Sequence, residues 1–142
     1  MSSVLFENNG VSPRLKNKPE LKEFFLGILK IEGIKFKKIV YIFTTDESLL
    51  KLNQHFLNHD TLTDILTFTL SSDGSPISSE IYISIDRVKE NASIFKVSVY
   101  TELYRVMIHG ILHLCGYSDH TAKLKAEMRK KEDFYLSKIY ST

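Results

Sequence analysis

Apolar residues recur along the chain at two spacings, and the switches between them divide it into elements. Leu21, Phe24, Phe25, Ile28 and Leu29 repeat with the 3.6-residue period of a helix, with Pro19 suited to its first turn and Gly33 near its end. Before it, Val4 to Phe6 reads as a short strand, closed by the turn residues Asn8-Asn9-Gly10. After it, Lys38 to Thr44 is rich in β-branched and aromatic residues, the pattern of a strand buried on both faces. Thr44 and Glu47 have the spacing of a capping box, ahead of a helix whose stripe is Leu49, Leu50, Leu52 and Phe56. The polar loop Asn58 to Asp64 feeds a strand from Ile65 to Leu70, and Ser71 to Pro76 turns the chain. Ile77 to Ile85 then alternates as an antiparallel partner, with Ile81, Ile83 and Ile85 inward and Glu80, Tyr82 and Ser84 on the other face.

Three helices complete the chain. Asp86 can cap one running to about Phe95, and Ser98 can cap the next, from Val99 to about Leu114. The last, about Ala122 to Tyr140, has Leu124, Met128, Phe134, Leu136 and Ile139 as its apolar side. Helices and strands mix without strict alternation, which predicts an α+β fold: a mixed sheet of about four strands with helices packed on it, the helix from Ser98 central. Residues 1–142 are expected to form a single domain.

Composition narrows the class. There is no run of eighteen apolar residues, so nothing is expected to span a membrane. Met1 to Asn9 lacks the basic start and apolar stretch of a secretory signal. The single cysteine, Cys115, cannot form an internal disulfide, which fits a reducing cytoplasm. The net charge of +2 says little, but between Arg14 and Lys38 eight Lys/Arg face three acids. That stretch is either a solvated surface or a patch that meets phosphates without reading sequence.

The chemistry concentrates in His109-Gly110-Ile111-Leu112-His113-Leu114-Cys115-Gly116-Tyr117-Ser118-Asp119-His120. Histidines four apart on a helix differ by about 40° around its axis, so His109 and His113 face one way. Gly116 can end the helix, and His120 follows closely enough to return to the same spot. A lone histidine is usually a satisfied core residue, but this grouping is hard to explain by packing. Three imidazoles with an open fourth position form the ligand set of a catalytic zinc, one ion per chain. His55 and His59 lack such partners and are expected at the surface or in a loop. Metalloproteases place a glutamate directly after the first histidine as general base; here that residue is Gly110. Helical glycine costs about 1 kcal/mol relative to alanine, so either another element packs closely there or a bulky substrate approaches.

Without that base, peptide hydrolysis loses its support. A metal that lowers the pKa of its water to about 7 suits phosphodiester cleavage better. Along the same helical face lie Arg105 and Glu102. Arg105 is a candidate phosphate clamp, with an ordinary Glu102–Arg105 surface pair as the alternative. Glu102 can also orient a ligand histidine. Cys115 points off the ligand face as a buried small residue, Tyr117 packs beside the turn, and Asp119 either caps the last helix or braces a histidine.

These residues resemble the YbeY-type endoribonucleases, or rRNA maturation factors, whose hallmark is His-Gly-x-Leu-His-Leu-x-Gly-Tyr-Asp-His. His109 to Tyr117 fits it without mismatch. Leu52-Asn53 and Asp60-x-x-Thr63-Asp64-Ile65-Leu66-Thr67-Phe68 resemble the family's Asp-x-Pro-Thr-Asp-Val-Leu-Ser-Phe stretch, and Glu80 to Ser84 its Gly-Asp-Ile-x-Ile-Ser strand. Glu102-Leu103 and Arg105 match positions ahead of the motif, so the likeness spans roughly residues 40–140. It implies a cytoplasmic zinc-dependent endonuclease of single-stranded RNA, acting in ribosomal RNA processing, small-subunit rRNA maturation and ribosome quality control. His109, His113 and His120 become the zinc ligands, Arg105 and Glu102 catalytic candidates, and Thr63 and Asp64 substrate-binding candidates. Ribosomal proteins are possible partners, and no DNA is expected.

The sequence departs from the family at four places. Ser118 lengthens the turn before His120; Leu57 stands where the family carries an arginine, whose role is vacant or passes to Arg105 or the basic N-terminal region; Leu62 replaces a proline and Ser79 a glycine. The alternatives to a nuclease are a non-catalytic RNA-binding ribosome-assembly factor stiffened by zinc and, disfavoured by Gly110, a metal-dependent peptidase.

Overall fold

A computed structural model describes residues 2–57 and 63–139. Its order is β1 (Ser3–Asn8), α1 (Lys18–Ile31), β2 (Phe36–Thr44), α2 (Asp46–Leu57), β3 (Ile65–Thr69), β4 (Ile77–Ser84), α3 (Ile85–Phe95), α4 (Val99–Leu114) and α5 (Ala122–Ile139). The strands form one mixed sheet in the order β1-β2-β4-β3. β1 and β4 run parallel to β2, and β3 runs antiparallel to β4 with Thr67 opposite Ile81. This is the α+β architecture the hydrophobic pattern predicts. β2 is central, and from Ile39 to Thr44 every residue is buried, as its unalternating sequence requires.

Helix α4 is the hub. It buries residues around most of its circumference, from Glu102 to Leu112, among β-strand side chains and neighbouring helices. Ser98 caps it as expected, accepting from the Thr101 N–H. Tyr41, fully buried in β2, donates its hydroxyl to the Met107 carbonyl at 2.8 Å and fixes the helix against the sheet. Gly110 explains how closely the two approach. A Cβ at this position would lie 2.9 Å from Ile65 Cδ1 and 3.0 Å from Ile81 Cγ2. The close-packing explanation of this glycine therefore holds, and the side facing it is the sheet.

Several boundaries differ from those read in the sequence. The first strand is longer than Val4–Phe6, because it gains a full parallel ladder along β2. Thr45, not Thr44, accepts from the Ser48 N–H at the start of α2, while Thr44 is buried at the end of β2. Ser84, not Asp86, caps α3; its hydroxyl accepts from the Arg87 N–H and donates to Asp46 Oδ1 at 2.7 Å. Ser84 is therefore buried and not outward-facing, whereas Ile81 and Ile83 do point into the core. On α5, Leu124 and Phe134 of the expected stripe are exposed, and the buried face is Met128, Glu132, Tyr135 and Leu136. Residues 58–62 of the polar loop read from Asn58 to Asp64, with His59 and Leu62, and the helix end at Tyr140 lie outside the described residues.

Candidate metal centre

His109 and His113 stand on the last two turns of α4, where i,i+4 spacing sets their rings 4.4 Å apart between centroids. Each ring is held by its Nδ1. His109 Nδ1 lies 2.6 Å from Glu132 Oε2 on α5, and His113 Nδ1 lies 3.1 Å from the Tyr117 carbonyl in the turn after α4. A carboxylate and a carbonyl can only accept, so both Nδ1 atoms carry hydrogen and both Nε2 atoms present lone pairs. Those Nε2 atoms converge to 2.9 Å. Two lone pairs at that distance repel unless a positive charge, proton or metal cation, lies between them.

Asp119 supplies the third donor. Its Oδ2 lies 3.6 Å from His109 Nε2 and 3.7 Å from His113 Nε2, and the three donor atoms all fall within 4.8 Å of one another. A tetrahedral zinc with bonds of about 2.0–2.1 Å spaces its ligands about 3.3 Å apart. The carboxylate edges are close to that, and the histidine pair needs only a small opening. The donor set fits a divalent metal, with orienting partners already on both rings.

His120 does not join this group. Its side chain is exposed, and its backbone N–H donates to Ser118 Oγ at 3.2 Å. The reason is a matter of counting. The final histidine of the family pattern lies ten residues after the first, and ten residues after His109 is Asp119. Gly116, at φ +97°, makes the turn with no added length, so the residue at the ligand position is an aspartate and Ser118 is not an insertion. Asp119 takes neither of the two roles read for it: it faces both Nε2 atoms as a third donor and not as a hydrogen-bonded brace, and Thr121 caps α5 by accepting from the Leu124 N–H.

Arg105 is also placed differently from a clamp. Nη1 donates to Glu132 Oε1 at 3.2 Å and Nη2 to Asp133 at 2.7 Å, with the side chain 15% exposed. Its guanidinium thus holds the carboxylate that holds His109. Glu132 is the residue that sequence reasoning missed. A single charged residue in a helix rich in Lys and Glu carries no signal, and the only available hint was that a catalytic histidine needs a carboxylate behind it.

The site opens into a cleft of about 360 Å³ whose lining includes Asp64, Glu102, Arg105, His109, Asp119 and Glu132, with Lys125 and Arg129 of α5 beside them. Thr63 does not line it; its hydroxyl donates to the Ile65 carbonyl. Burial works to lower the pKa of His109, but the hydrogen bond and charge of Glu132, with Asp64 and Asp119, outweigh it and the net shift is upward. His113 moves down, through burial and then the charge of His109. Burial lifts Asp64, and lifts Cys115 to about 11, leaving the thiol an unreactive packing residue.

Glu102 is buried and pushed up to about 6, first by desolvation and then by Asp64. A folded pKa above the unfolded one means that the folded state holds the extra proton, so stability falls as pH rises from about 4.5 to about 6. Glu102→Gln in the metal-free protein is therefore expected to gain about 2 kcal/mol relative to wild type above pH ~6 and nothing below pH ~4.5. Urea unfolding across that range measures it. A difference that does not change with pH would exclude the buried charge as its cause.

Comparison with known proteins identifies the family. The family model described as Endoribonuclease YbeY matches residues 9–140. The chain belongs to the YbeY family. Relatives bearing the name Endoribonuclease YbeY include one from Cytophaga hutchinsonii, 43% identical over 135 residues covering 95% of this chain and 94% of that protein. Another, from Amoebophilus asiaticus, is 42% identical over 87% of this chain and 84% of its own length. A YbeY from Flavobacterium psychrophilum is 55% identical over 68% of each. Among solved structures, a Thermotoga maritima protein determined in solution is similar, with a TM-score of 0.67, 32% identity, and coverage of 96% of this chain and 89% of that one. The resemblance carried by His109 to Tyr117 thus holds along nearly the whole YbeY length.

Proposed function

We propose that the protein is a zinc-dependent endoribonuclease of single-stranded RNA that acts in ribosomal RNA processing. The observation that carries this reading is the convergence of His109, His113 and Asp119 on one point beside a cleft that His109 and Asp119 line, in a chain of the YbeY family. His109 Nε2, His113 Nε2 and Asp119 Oδ2 would hold the ion, and Glu132 and the Tyr117 carbonyl would orient the two rings. A bound zinc supplies an activated water and a Lewis acid for a phosphoryl oxygen. A set of two imidazoles and one carboxylate also suits ferrous iron, but hydrolysis needs no redox metal.

The chain's own groups account for the rest. Glu102 lines the cleft, its carboxyl raised above the ordinary range by burial, and is placed to take a proton from an attacking water or return one to a leaving oxygen. Arg105 secures Glu132 and through it His109, a supporting role in place of contact with phosphate. Lys125 and Arg129 make no ion pair among the described residues, and they supply positive charge for flanking phosphates where the family's arginine is replaced by Leu57. The double variant Lys125→Gln/Arg129→Gln is expected to bind RNA more weakly, with the log–log salt slope reduced by about 1.4. Turnover of saturating RNA is expected to stay near wild type, and an unchanged slope would remove both residues from the interface.

Three donors among the described residues and an adjoining cleft favour catalysis over the zinc-stiffened RNA-binding factor, because structural zinc sites are closed by four ligands. The peptidase reading loses its base position to Ile65 and Ile81, which press on Gly110. The deciding experiment is cleavage of a single-stranded RNA by chelated protein before and after one equivalent of zinc. Restoration by zinc supports the nuclease, whereas RNA bound but never cleaved supports the assembly factor.

A further inference from the structure

Glu32, the residue that ends α1, lies far from the metal centre in sequence and has no part in the reaction as described. Its carboxylate is nonetheless only 10% exposed and gathers three donors. The Tyr117 hydroxyl donates to Oε1 at 2.7 Å, the Tyr135 hydroxyl donates to Oε2, and Lys131 Nζ lies 3.4 Å from Oε2. Burial alone would raise the Glu32 pKa, but the two tyrosine hydrogen bonds and Lys131 outweigh it, so the group stays ionised.

These partners are not scattered. Tyr117 is the turn residue whose carbonyl accepts from His113 Nδ1, and two residues later the same turn delivers Asp119. Lys131 and Tyr135 flank Glu132, which holds His109. One carboxylate therefore ties both supports of the histidine pair to α1. The Tyr117 ring packs partly buried against the core, and its hydroxyl adds a directional bond to that contact. Gly116 adopts φ +97°, and its backbone is held to the end of α4 by short-range bonds from Gly116 N–H to His113 and from Tyr117 N–H to Leu112. Those bonds fix the turn to its own helix but not to the body of the protein. The Tyr117 side chain makes that longer connection, spanning 85 residues of sequence to Glu32.

We propose that Glu32 is a positioning residue for the metal centre, acting through the Tyr117 hydroxyl to hold the turn that orients His113 and presents Asp119. The inference rests on the reading of His109, His113 and Asp119 as metal ligands. Losing an outer partner of a metal ligand typically weakens metal binding about 10–100-fold; Glu32 is one bond further out, so about tenfold is expected.

The test measures zinc affinity by competition with a chromophoric chelator, using the full chain and the variants Glu32→Gln, Tyr117→Phe and both together. Tyr117→Phe removes only the hydroxyl and keeps the carbonyl at His113, so it also serves if Glu32→Gln fails to fold. Each single variant is expected to weaken zinc binding about tenfold, and the double no more than Glu32→Gln alone, because Tyr117→Phe cuts a connection that Glu32→Gln has already cut. Asp46→Asn is the control. It disturbs the part-buried Asp46–Arg87 and Ser84 contacts at the α2–α3 corner, costing stability without touching the turn, and zinc affinity should stay at the wild-type value. Cobalt substituted for zinc should show a changed visible spectrum in Glu32→Gln and Tyr117→Phe but not in Asp46→Asn. Unchanged zinc affinity in Tyr117→Phe, or a double variant equal to the product of the singles, would overturn the proposal. Failure of the wild type to bind zinc would instead overturn the metal-site reading itself.

Discussion

Asp119→Ala is expected to abolish zinc binding and to lower RNA cleavage by about 10³-fold, the equivalent of the several kcal/mol that a catalytic metal contributes. His120→Ala is expected to change neither. The contrast follows from geometry: Asp119 Oδ2 stands 3.6 and 3.7 Å from the two Nε2 atoms, whereas His120 is exposed beyond the turn. Metal content by emission spectroscopy, paired with a fluorescent single-stranded RNA assay, measures both effects on the same preparations. Asp119→His is the informative third variant, since it restores the residue found at this spacing in the family pattern; retained zinc is expected there. Loss of zinc in His120→Ala with retention in Asp119→Ala would reverse the assignment.

Glu132→Ala is expected to have the second largest effect, on two observables at once. It removes the acceptor at His109 Nδ1, and zinc affinity should fall about 10–100-fold as that ring loses its orientation. It also strips Arg105 of a partner at 3.2 Å in a pair whose side chains are 15% and 7% exposed. Leaving such a cation half-paired is expected to cost about 3 kcal/mol of stability in chemical denaturation. Asp133→Ala separates the two consequences. Asp133 is 58% exposed and pairs with the other arm of Arg105, so its loss should cost under about 1 kcal/mol and leave zinc binding unchanged. If Glu132→Ala loses stability but keeps zinc, Glu132 supports the fold and does not orient His109.

Much of the fold was legible because the hydrophobic pattern is unambiguous where burial is one-sided or complete. The stripe of α1, the unbroken apolar run of β2 and the alternation of β4 each permit a single assignment. Errors cluster where a polar group is buried for a tertiary reason. Ser84 ends β4 and caps α3 because Asp46 and Arg87 lie across the corner, contacts that local sequence does not contain. On α5 the buried face includes Glu132, so a search for apolar residues selected Phe134, which is half exposed, in place of Tyr135. A carboxylate belongs in a buried stripe only when Arg105 and His109 are known to be waiting for it.

The sequence by itself determined the family, the helix that carries the chemistry, and the pairing of His109 with His113, because the i,i+4 spacing fixes two rings to one face whatever surrounds them. It also excluded the protease base, through Gly110. Spacing left two readings, a turn lengthened by Ser118 that keeps His120 at the histidine pair or an unlengthened turn that puts Asp119 there. The tertiary structure selects the second: the path from Gly116 to the start of α5 brings Asp119 to the pair and leaves His120 exposed. The same holds for the supports behind the site. Glu132 meets His109 and Arg105, and Glu32 meets Tyr117, across 23 to 85 residues of chain, and contacts over such distances are set by how helices pack on the sheet, which no local pattern of residues records.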